Sequence, residues 1–207
     1  MSLLKGMKVA SFFAGCGGLD LGFEQAGYEV VWANEFDEAI HKTYQFNHPN
    51  TYLCKSDIRK LKGEDIPDCD GFIGGPPCQS WSEGGRQLGL DDERGRLFFD
   101  YVRLIKEKHP KFFLIENVQG IINDKHFSTF LSFLYVVNYS LLNAADYYIP
   151  QDRYRVFVVG FLKELNCTFN FPKPFGKPYV TLRKAIGDIM ENPHPYTNEG
   201  VDQEYRK

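Results

Sequence analysis

The chain has 207 residues and a formal net charge of −3, and its composition is 43% hydrophobic and 15% aromatic. This length and apolar content are enough to bury a core, and they favour one domain with at most a small appendage. No apolar stretch approaches the roughly 20 residues of a membrane-spanning helix, and no signal peptide is recognisable. The acidic balance excludes a strongly basic nucleic-acid-binding domain, so any contact with nucleic acid must come from local patches or from sequence outside this chain.

The cysteines and histidines favour neither a disulfide framework nor a metal site. There are five cysteines, widely spaced and without a CxxC pair. An odd number in this arrangement is typical of a reducing compartment, and we expect a cytoplasmic protein. The five histidines do not lie at zinc-ligand spacing from the cysteines, so we expect no metal.

Strand and helix patterns alternate along the chain. The predicted strands are 8–13, 30–33, 51–54, 71–73, 111–115, 136–142 and 156–161. The predicted helices are 19–25, 37–46, 97–108, 127–134 and 181–190, the last with Thr181 as its N-cap. This alternation predicts an α/β fold with a mostly parallel sheet and helices on both faces. Prolines become frequent from about residue 171, so we expect one domain over residues 7–165 and the start of a C-terminal region over 166–207.

A glycine-rich turn follows the first predicted strand and opens the first helix, in the order Phe-Phe-Ala-Gly-Cys-Gly-Gly-Leu from residue 12. Glycines let the backbone approach a ligand closely, and a helix N-terminus offers free amides. Glu35 ends the second strand, where a Rossmann-type site places a carboxylate on ribose hydroxyls, and Asp57 follows the third. The spacing is GxGGxxxG rather than GxGxxG, and no P-loop lysine follows. The turn alone would fit NAD, a nucleotide or no ligand, whereas the three features together favour an adenosine ligand without phosphates. We expect Cys16, inside the turn, to be a small packing residue.

Cys78 follows a short apolar strand and the residues Gly74-Gly75-Pro76-Pro77. The two prolines fix φ and remove backbone donors, so the strand must end there. The thiol is then presented at the carboxyl end of a strand, which is the edge where ligands bind in open α/β sheets. A chance turn with a buried cysteine is the alternative interpretation.

These motifs resemble those of the C5-cytosine-specific DNA methyltransferases. The glycine-rich turn, ANEFD at 33–37, Pro-Pro-Cys-Gln at 76–79, Glu-Asn-Val at 116–118 and QDRYRVF at 151–157 occur in that family's order, and the resemblance covers roughly residues 8–165. It is closest to bacterial modification enzymes of restriction–modification systems, and SWSEGG at 80–85 resembles the GGCC-modifying subgroup. The resemblance implies a Rossmann-like methyltransferase fold with S-adenosyl-L-methionine as cofactor and S-adenosyl-L-homocysteine as product. The residues that would line the cofactor by motif match are Phe13, Gly15, Gly17, Gly18, Leu19, Glu35, Phe36, Asp57, Pro76 and Leu97.

The same resemblance implies a chemistry for the remaining motifs. The thiolate of Cys78 would add to C6 of cytosine, so that C5 can attack the methyl group. Glu116 would have to be protonated to donate to N3, and Arg155 would donate to O2. Arg153, two residues earlier on the same strand face, would support the site or contact a phosphate, and Asn117 would orient the Pro-Pro turn. Since C5 and C6 lie inside the duplex stack, the base must be flipped out.

Double-stranded DNA is the implied substrate, and a cognate restriction endonuclease is the implied partner of a monomeric bacterial enzyme. The family's target-recognition domain is not recognisable in residues 166–207. Two alternatives stay open. One is a tRNA cytosine-5 methyltransferase, although the Ser-Trp-Ser-Glu sequence at 80–83 argues against it. The other is a truncated, non-catalytic protein that binds S-adenosylmethionine.

Overall fold

The computed structural model describes residues 6–77, 93–123, 132 and 134–191. The strands are β1 (Lys8–Phe12), β2 (Glu29–Asn34), β3 (Tyr52–Cys54), β4 (Gly71–Gly74), β5 (Phe112–Asn117), β6 (Tyr135–Asn143) and β7 (Tyr154–Leu162). The α-helices are α1 (Gly18–Gln25), α2 (Glu38–Asn47), α3 (Glu93–Lys108) and α4 (Leu182–Glu191). The predicted alternation is confirmed for these elements, with the largest difference at the start of α3. The helix predicted at 127–134 falls mostly outside the described residues.

The strands form one sheet of seven strands over the described residues, in the order β3-β2-β1-β4-β5-β7-β6. β1 pairs in parallel with both β2 and β4, β2 with β3, and β4 with β5, whereas β7 is antiparallel to β5. The predicted mostly parallel sheet is therefore confirmed. The carboxyl ends of β1 to β5 share one edge, and antiparallel β7 begins at that edge. The strand order reverses between β1 and β4, and open α/β sheets bind their ligands at such a switch point.

Helices cover both faces of this sheet. On one face the buried ring of Phe12 packs against Tyr101 of α3, with ring centroids 4.9 Å apart. On the other face Val9 of β1 belongs to a cluster that Phe23 of α1 packs against. Apolar residues alternate between the faces of β1 because successive side chains of a strand point in opposite directions. This confirms the predicted two-faced arrangement.

Two glycines fix the register of β5 between its neighbours. Gly71 of β4 lies opposite Phe112, and a Cβ on this glycine would fall 2.1 Å from the ring. Gly160 of β7 lies opposite Phe113, and a Cβ there would also fall 2.1 Å from a ring carbon. The rings of Phe112 and Phe113, which are consecutive in β5, therefore pack over the glycines of the two neighbouring strands.

The chain forms two compact units. The first contains the residues up to Leu142 together with Tyr154–Lys173, and it holds nearly all of the sheet. The second contains Asn143–Arg153 and, among the described residues that follow Lys173, those from Pro174 to Glu191. In this second unit the hydroxyl oxygen of Thr181 accepts a hydrogen bond from the backbone amide of Lys184 at 3.2 Å, as predicted for the N-cap of α4. None of the helices that the structure describes is long and apolar enough to cross a membrane.

Candidate active site

The glycine-rich turn is a tightly folded link between β1 and α1. Phe13, Gly15 and Gly17 have φ of 54°, 56° and 85°, in the left-handed region. The amide of Ala14 donates to the carbonyl of Asn34 at 3.1 Å, and the amide of Gly17 donates to the carbonyl of Ala14 at 2.9 Å. Gly17 is the N-cap of α1 and supplies no side-chain cap, so the first amides of the helix keep their capacity to bind a ligand. The positive φ of Phe13 is uncommon for a bulky residue, and such strain is often found at functional sites.

Glu35 is fixed at the end of β2 by four hydrogen bonds. One carboxylate oxygen accepts from the amide of Gly15 at 2.9 Å, and the other accepts from the amide of Asp37 at 2.8 Å. The backbone of Glu35 donates to the carbonyl of Cys54 and accepts from Nε2 of His41. Each carboxylate oxygen retains a second lone pair that can accept from a hydroxyl group. The next residue, Phe36, leaves its ring 64% exposed, so a carboxylate and an aromatic face stand side by side near the turn.

Asp57 follows β3 and caps a short 3-10 helix, Ile58–Lys60. Its Oδ1 accepts from the backbone amide of Arg59 at 3.0 Å, and the Arg59 guanidinium donates to Oδ2 at 2.9 Å through Nε. These hydrogen bonds from Arg59 lower the pKa of Asp57 below its ordinary value. The carboxylate predicted to contact adenine is therefore ionised and held in place by its neighbour.

The turn after β4 is held by the end of β5. Pro76 is buried, and its carbonyl accepts from Nδ2 of Asn117 at 3.2 Å. Asn117 is 1% exposed, and its Oδ1 accepts from the amide of Val118 at 2.9 Å. The prediction that Asn117 orients the Pro-Pro turn is thus confirmed. Cys78 itself lies outside the described residues.

Glu116 and Arg155 meet at the same edge of the sheet. Nε of Arg155 lies 3.1 Å from a carboxylate oxygen of Glu116, and both side chains are about a quarter exposed. The other carboxylate oxygen of Glu116 lies 3.1 Å from the point that a Cβ on Gly75 would occupy. A side chain at position 75 would therefore crowd Glu116 against the turn that precedes Cys78.

The structure bears differently on two predictions about individual residues. Arg153 directly precedes β7, which begins at Tyr154, and its backbone amide donates to Oδ1 of Asn143 at 3.0 Å. The role expected for its side chain stays a prediction. The expectation that Cys16 is a packing residue was wrong, because this residue is exposed.

Leu97 lies on α3 and packs against the main hydrophobic cluster as a partly buried residue. Gly18 and Leu19 form the first turn of α1. Several predicted site residues meet at the carboxyl edge of the sheet. They lie at or just after the ends of β1, β2, β3, β4 and β5, and near the start of β7. The described residues contain no group of three or more histidine, cysteine, aspartate or glutamate side chains arranged to hold a metal ion.

Sequence reasoning missed a buried polar network beneath the glycine turn. Asp20 of α1 is fully buried and accepts from the Ser11 hydroxyl and from the Tyr44 hydroxyl, each at 2.6 Å. Burial raises the pKa of Asp20, although both hydrogen bonds oppose the shift. Burial also raises the pKa of Tyr44 far above its ordinary value, so this hydroxyl stays a donor. The signal in the sequence was Ser11, a polar residue within the apolar strand β1.

A mostly parallel sheet with a glycine-rich turn after its first strand and an acidic residue after its second is an arrangement typical of Rossmann-like α/β proteins. The model of the C-5 cytosine-specific DNA methylase family matches residues 7–207. The chain belongs to that family.

Named relatives agree with this assignment. The chain is 50% identical over 200 residues to the type II methyltransferase M.NgoPII of Neisseria gonorrhoeae, a match that covers 91% of this chain and 59% of the relative. It is 52% identical over 192 residues to M.MthTI of Methanothermobacter thermautotrophicus, covering 89% of this chain and 58% of the relative. The chain thus spans somewhat more than half the length of these relatives.

A solved structure shares the fold. A protein described as a DNA modification methyltransferase encoded within an Escherichia coli prophage superposes with a TM-score of 0.75 at 33% identity. The match covers 87% of this chain and 54% of that one. The Rossmann-like methyltransferase fold expected from the sequence is therefore confirmed.

Proposed function

We propose that this chain carries the chemical half of a DNA (cytosine-5)-methyltransferase, the modification enzyme of a restriction–modification system. The proposal rests on one observation: two groups of residues lie at the same carboxyl edge of the sheet. The glycine turn and Glu35 supply a nucleoside site on one side of the switch point. Glu116, Arg155 and the Asn117-anchored turn before Cys78 supply a cluster for cytosine on the other.

The described residues fit S-adenosylmethionine as the cofactor. A Cβ built on Gly15 or on Gly18 would meet no atom within 4 Å, so the backbone there is open to a ligand, and the turn carries no lysine or arginine that would favour a phosphate. Glu35 would hold the ribose hydroxyls, the exposed ring of Phe36 would stack on adenine, and Asp57 would lie beside its amino group. Gly15, Gly17, Gly18 and Leu19 would lie along the amino-acid part, with Phe13, Pro76 and Leu97 lining the remaining wall. When bound, this cofactor supplies a methyl group on a sulfonium centre and leaves as S-adenosylhomocysteine.

The chain's own residues would prepare the cytosine for attack on that methyl group. The Cys78 thiolate forms a bond to C6, and the electron pair of the C5–C6 double bond becomes available at C5. Glu116 donates a proton toward N3, where negative charge builds, and Arg155 donates to O2. After methylation C5 loses its proton to solvent, the electron pair of that C–H bond re-forms the C5–C6 double bond, the Cys78 thiolate leaves and the proton shared with N3 returns to Glu116.

The ion pair of Glu116 with Arg155 shows what substrate entry has to change. A carboxyl group that donates to N3 must carry a proton, whereas here Glu116 is paired with the Arg155 guanidinium at 3.1 Å. A flipped cytosine whose O2 takes up the guanidinium would end this pairing and leave Glu116 to face N3.

Trapping on duplex DNA with 5-fluorocytosine tests the proposal, because the C5 fluorine cannot leave as a proton does. The wild-type chain, incubated with S-adenosylmethionine, should form a covalent adduct, and Cys78→Ser should form none. Cys167→Ser, a thiol outside the site, is the matched control and should react like the wild type. An adduct with Cys78→Ser, or cofactor binding without any adduct, would overturn the proposed function.

The same assay separates the remaining interpretations. Labelled cofactor should methylate duplex DNA and not tRNA, and transfer to tRNA alone would support the alternative substrate. Cofactor binding without transfer to either would support a non-catalytic binding protein.

We further propose that residues 7–165 form the catalytic and cofactor-binding domain and that 166–207 begin a C-terminal region. Within this proposal the protein is a cytoplasmic monomer with a cognate restriction endonuclease in the same system. Light scattering of the purified chain tests the monomer, and Arg153→Ala tests whether that residue contributes to DNA affinity. Recognition of GGCC stays a prediction, tested by methylation of duplexes with and without that sequence.

A further inference from the structure

His48, at the end of α2, connects that helix to the glycine turn. The residue is 3% exposed, and its ring stacks on Tyr44 with centroids 4.8 Å apart. Its Nε2 lies 3.1 Å from the carbonyl oxygen of Gly17, and its Nδ1 lies 3.0 Å from a carboxylate oxygen of Glu24 on α1. A carbonyl only accepts, so Nε2 carries a proton and donates it. One buried side chain therefore binds both the turn and the helix that the turn opens.

The ring also determines which residue can stand at position 17. Gly17 has a φ of 85°, and a Cβ there would lie 2.0 Å from Nε2 of His48. The carbonyl of Gly17 accepts a second hydrogen bond from the amide of Leu21 at 2.9 Å, the first intrahelical bond of α1. The orientation of this carbonyl is thus fixed from two directions.

Other residues at the end of α2 hold the same segment. Nδ2 of Asn47 donates to the carbonyl of Cys16 at 3.2 Å, and the Tyr44 hydroxyl donates to buried Asp20. The end of α2 therefore contacts the turn at two successive residues and the first turn of α1 at a third.

Because the peptide group is planar, fixing the direction of the Gly17 carbonyl also fixes the direction of the Gly18 amide. The carbonyl of Gly17 and the amide of Gly18 belong to one planar unit and point in opposite directions. Holding the carbonyl toward His48 therefore aims the Gly18 amide away from the ring. As the first amide of α1, it has no intrahelical partner and is suited to an anionic group such as a carboxylate.

We propose that His48 is a positioning residue for the amino-acid end of S-adenosylmethionine, an inference that rests on the proposed function. Glu35 and Phe36 serve the adenosine end, and the hydrogen bonds that hold Glu35 come from Gly15, Asp37 and His41 rather than from His48. The carboxylate of the methionine part would bind at the start of α1, where the Gly17–Gly18 peptide is held in place. Loss of the hydrogen bond from His48 would then weaken recognition of one end of the cofactor only.

Binding of two compounds to the intact chain tests whether His48 affects only the amino-acid end of the cofactor. S-adenosylmethionine carries both ends, whereas 5′-deoxy-5′-methylthioadenosine carries the adenosine part without the amino-acid group. His48→Phe keeps the ring stacked on Tyr44 but loses both the donor to Gly17 and the contact with Glu24. By calorimetry it should bind S-adenosylmethionine about tenfold more weakly, as expected for one lost hydrogen bond to a buried carbonyl. Its affinity for methylthioadenosine should match that of the wild type.

His48→Gln, whose amide can donate to Gly17, should recover most of the lost affinity. Phe46→Ser, on the same helix with a ring that is 86% exposed, is the control and should bind both ligands like the wild type. Should His48→Phe fail to fold, His48→Asn, with an amide too short to reach Gly17, replaces it with the same expected division.

Each other outcome overturns the inference. Unchanged affinity for S-adenosylmethionine would show that His48 has no role in positioning the turn. Equal weakening of both ligands would show a general structural role. A wild-type chain that binds no S-adenosylmethionine would refute the proposed function itself, and is distinguished by that result from a failure of His48 alone.

Discussion

Replacing Asn117 with aspartate tests how much the hydrogen bond from Asn117 to Pro76 contributes to holding the Pro-Pro turn. The change keeps the shape of the side chain and the oxygen that accepts from Val118, but it removes the donor to the Pro76 carbonyl. Asn117 is 1% exposed, so the carbonyl would lose a partner in a buried site and would face a carboxylate oxygen. An unsatisfied buried group costs about 1–3 kcal/mol, and an unpaired charge adds to this, so we expect a loss of about 3 kcal/mol.

Urea unfolding gives the stability change, and adduct formation with 5-fluorocytosine DNA gives the functional one. Because the turn directly precedes Cys78, the proposed nucleophile, a displacement of about 1 Å should slow adduct formation roughly a hundredfold. Asn166→Asp is the matched control, since that asparagine is exposed and its change should stay within about 0.5 kcal/mol. An Asn117→Asp variant as stable as this control, or one that forms the adduct at the wild-type rate, would refute the reasoning.

Three further predictions concern the core, the acid range and the cofactor site. Gly160→Ala should destabilise the chain by about 2 kcal/mol in urea unfolding, because the new Cβ overlaps the buried Phe113 ring; combining it with Phe113→Leu should recover part of the loss, and strict additivity would contradict the overlap. The lowered pKa of Asp57 means that its contribution to stability is present above the ordinary carboxyl pKa of 3.8 and is lost as the pH falls through the lower folded value. The melting temperatures of the wild type and Arg59→Gln should therefore differ by a constant amount from about pH 7 to about pH 4 and converge as the pH falls further, and a difference that stays constant down to about pH 2 would argue against the pairing. Phe36→Ala should leave stability within about 0.5 kcal/mol because the ring is exposed, yet weaken S-adenosylmethionine by roughly tenfold in calorimetry, the magnitude of base stacking on an aromatic ring; unchanged affinity would remove Phe36 from the site.

The sheet could be predicted from the sequence because its signals are local. Each strand is a short apolar run, and the helices between strands carry their own periodicity and stop signals. Glu35, Asp57 and Glu116 could be placed at one edge because parallel strands share the direction of their carboxyl ends. Asn117 could be assigned to the Pro-Pro turn because it follows Glu116 at the end of a strand next to β4.

The missed and mistaken residues depend on long-range geometry. His48 contacts Glu24 and Gly17, which lie 24 and 31 residues away, so no local pattern links them. The expectation for Cys16 was wrong because the conformation of the whole turn, with left-handed glycines on both sides of this residue, decides whether it is buried.

The position of β7 between β5 and β6 has a consequence for synthesis of the protein on the ribosome. β5 is complete at Asn117, but the strand that covers its free side begins only at Tyr154. A nascent chain that has exposed the first five strands therefore presents a bare backbone edge until at least residue 162 has left the exit tunnel. Premature termination in this interval should yield an aggregation-prone fragment rather than a smaller folded protein, because β5 lacks its neighbour until β7 has been synthesised.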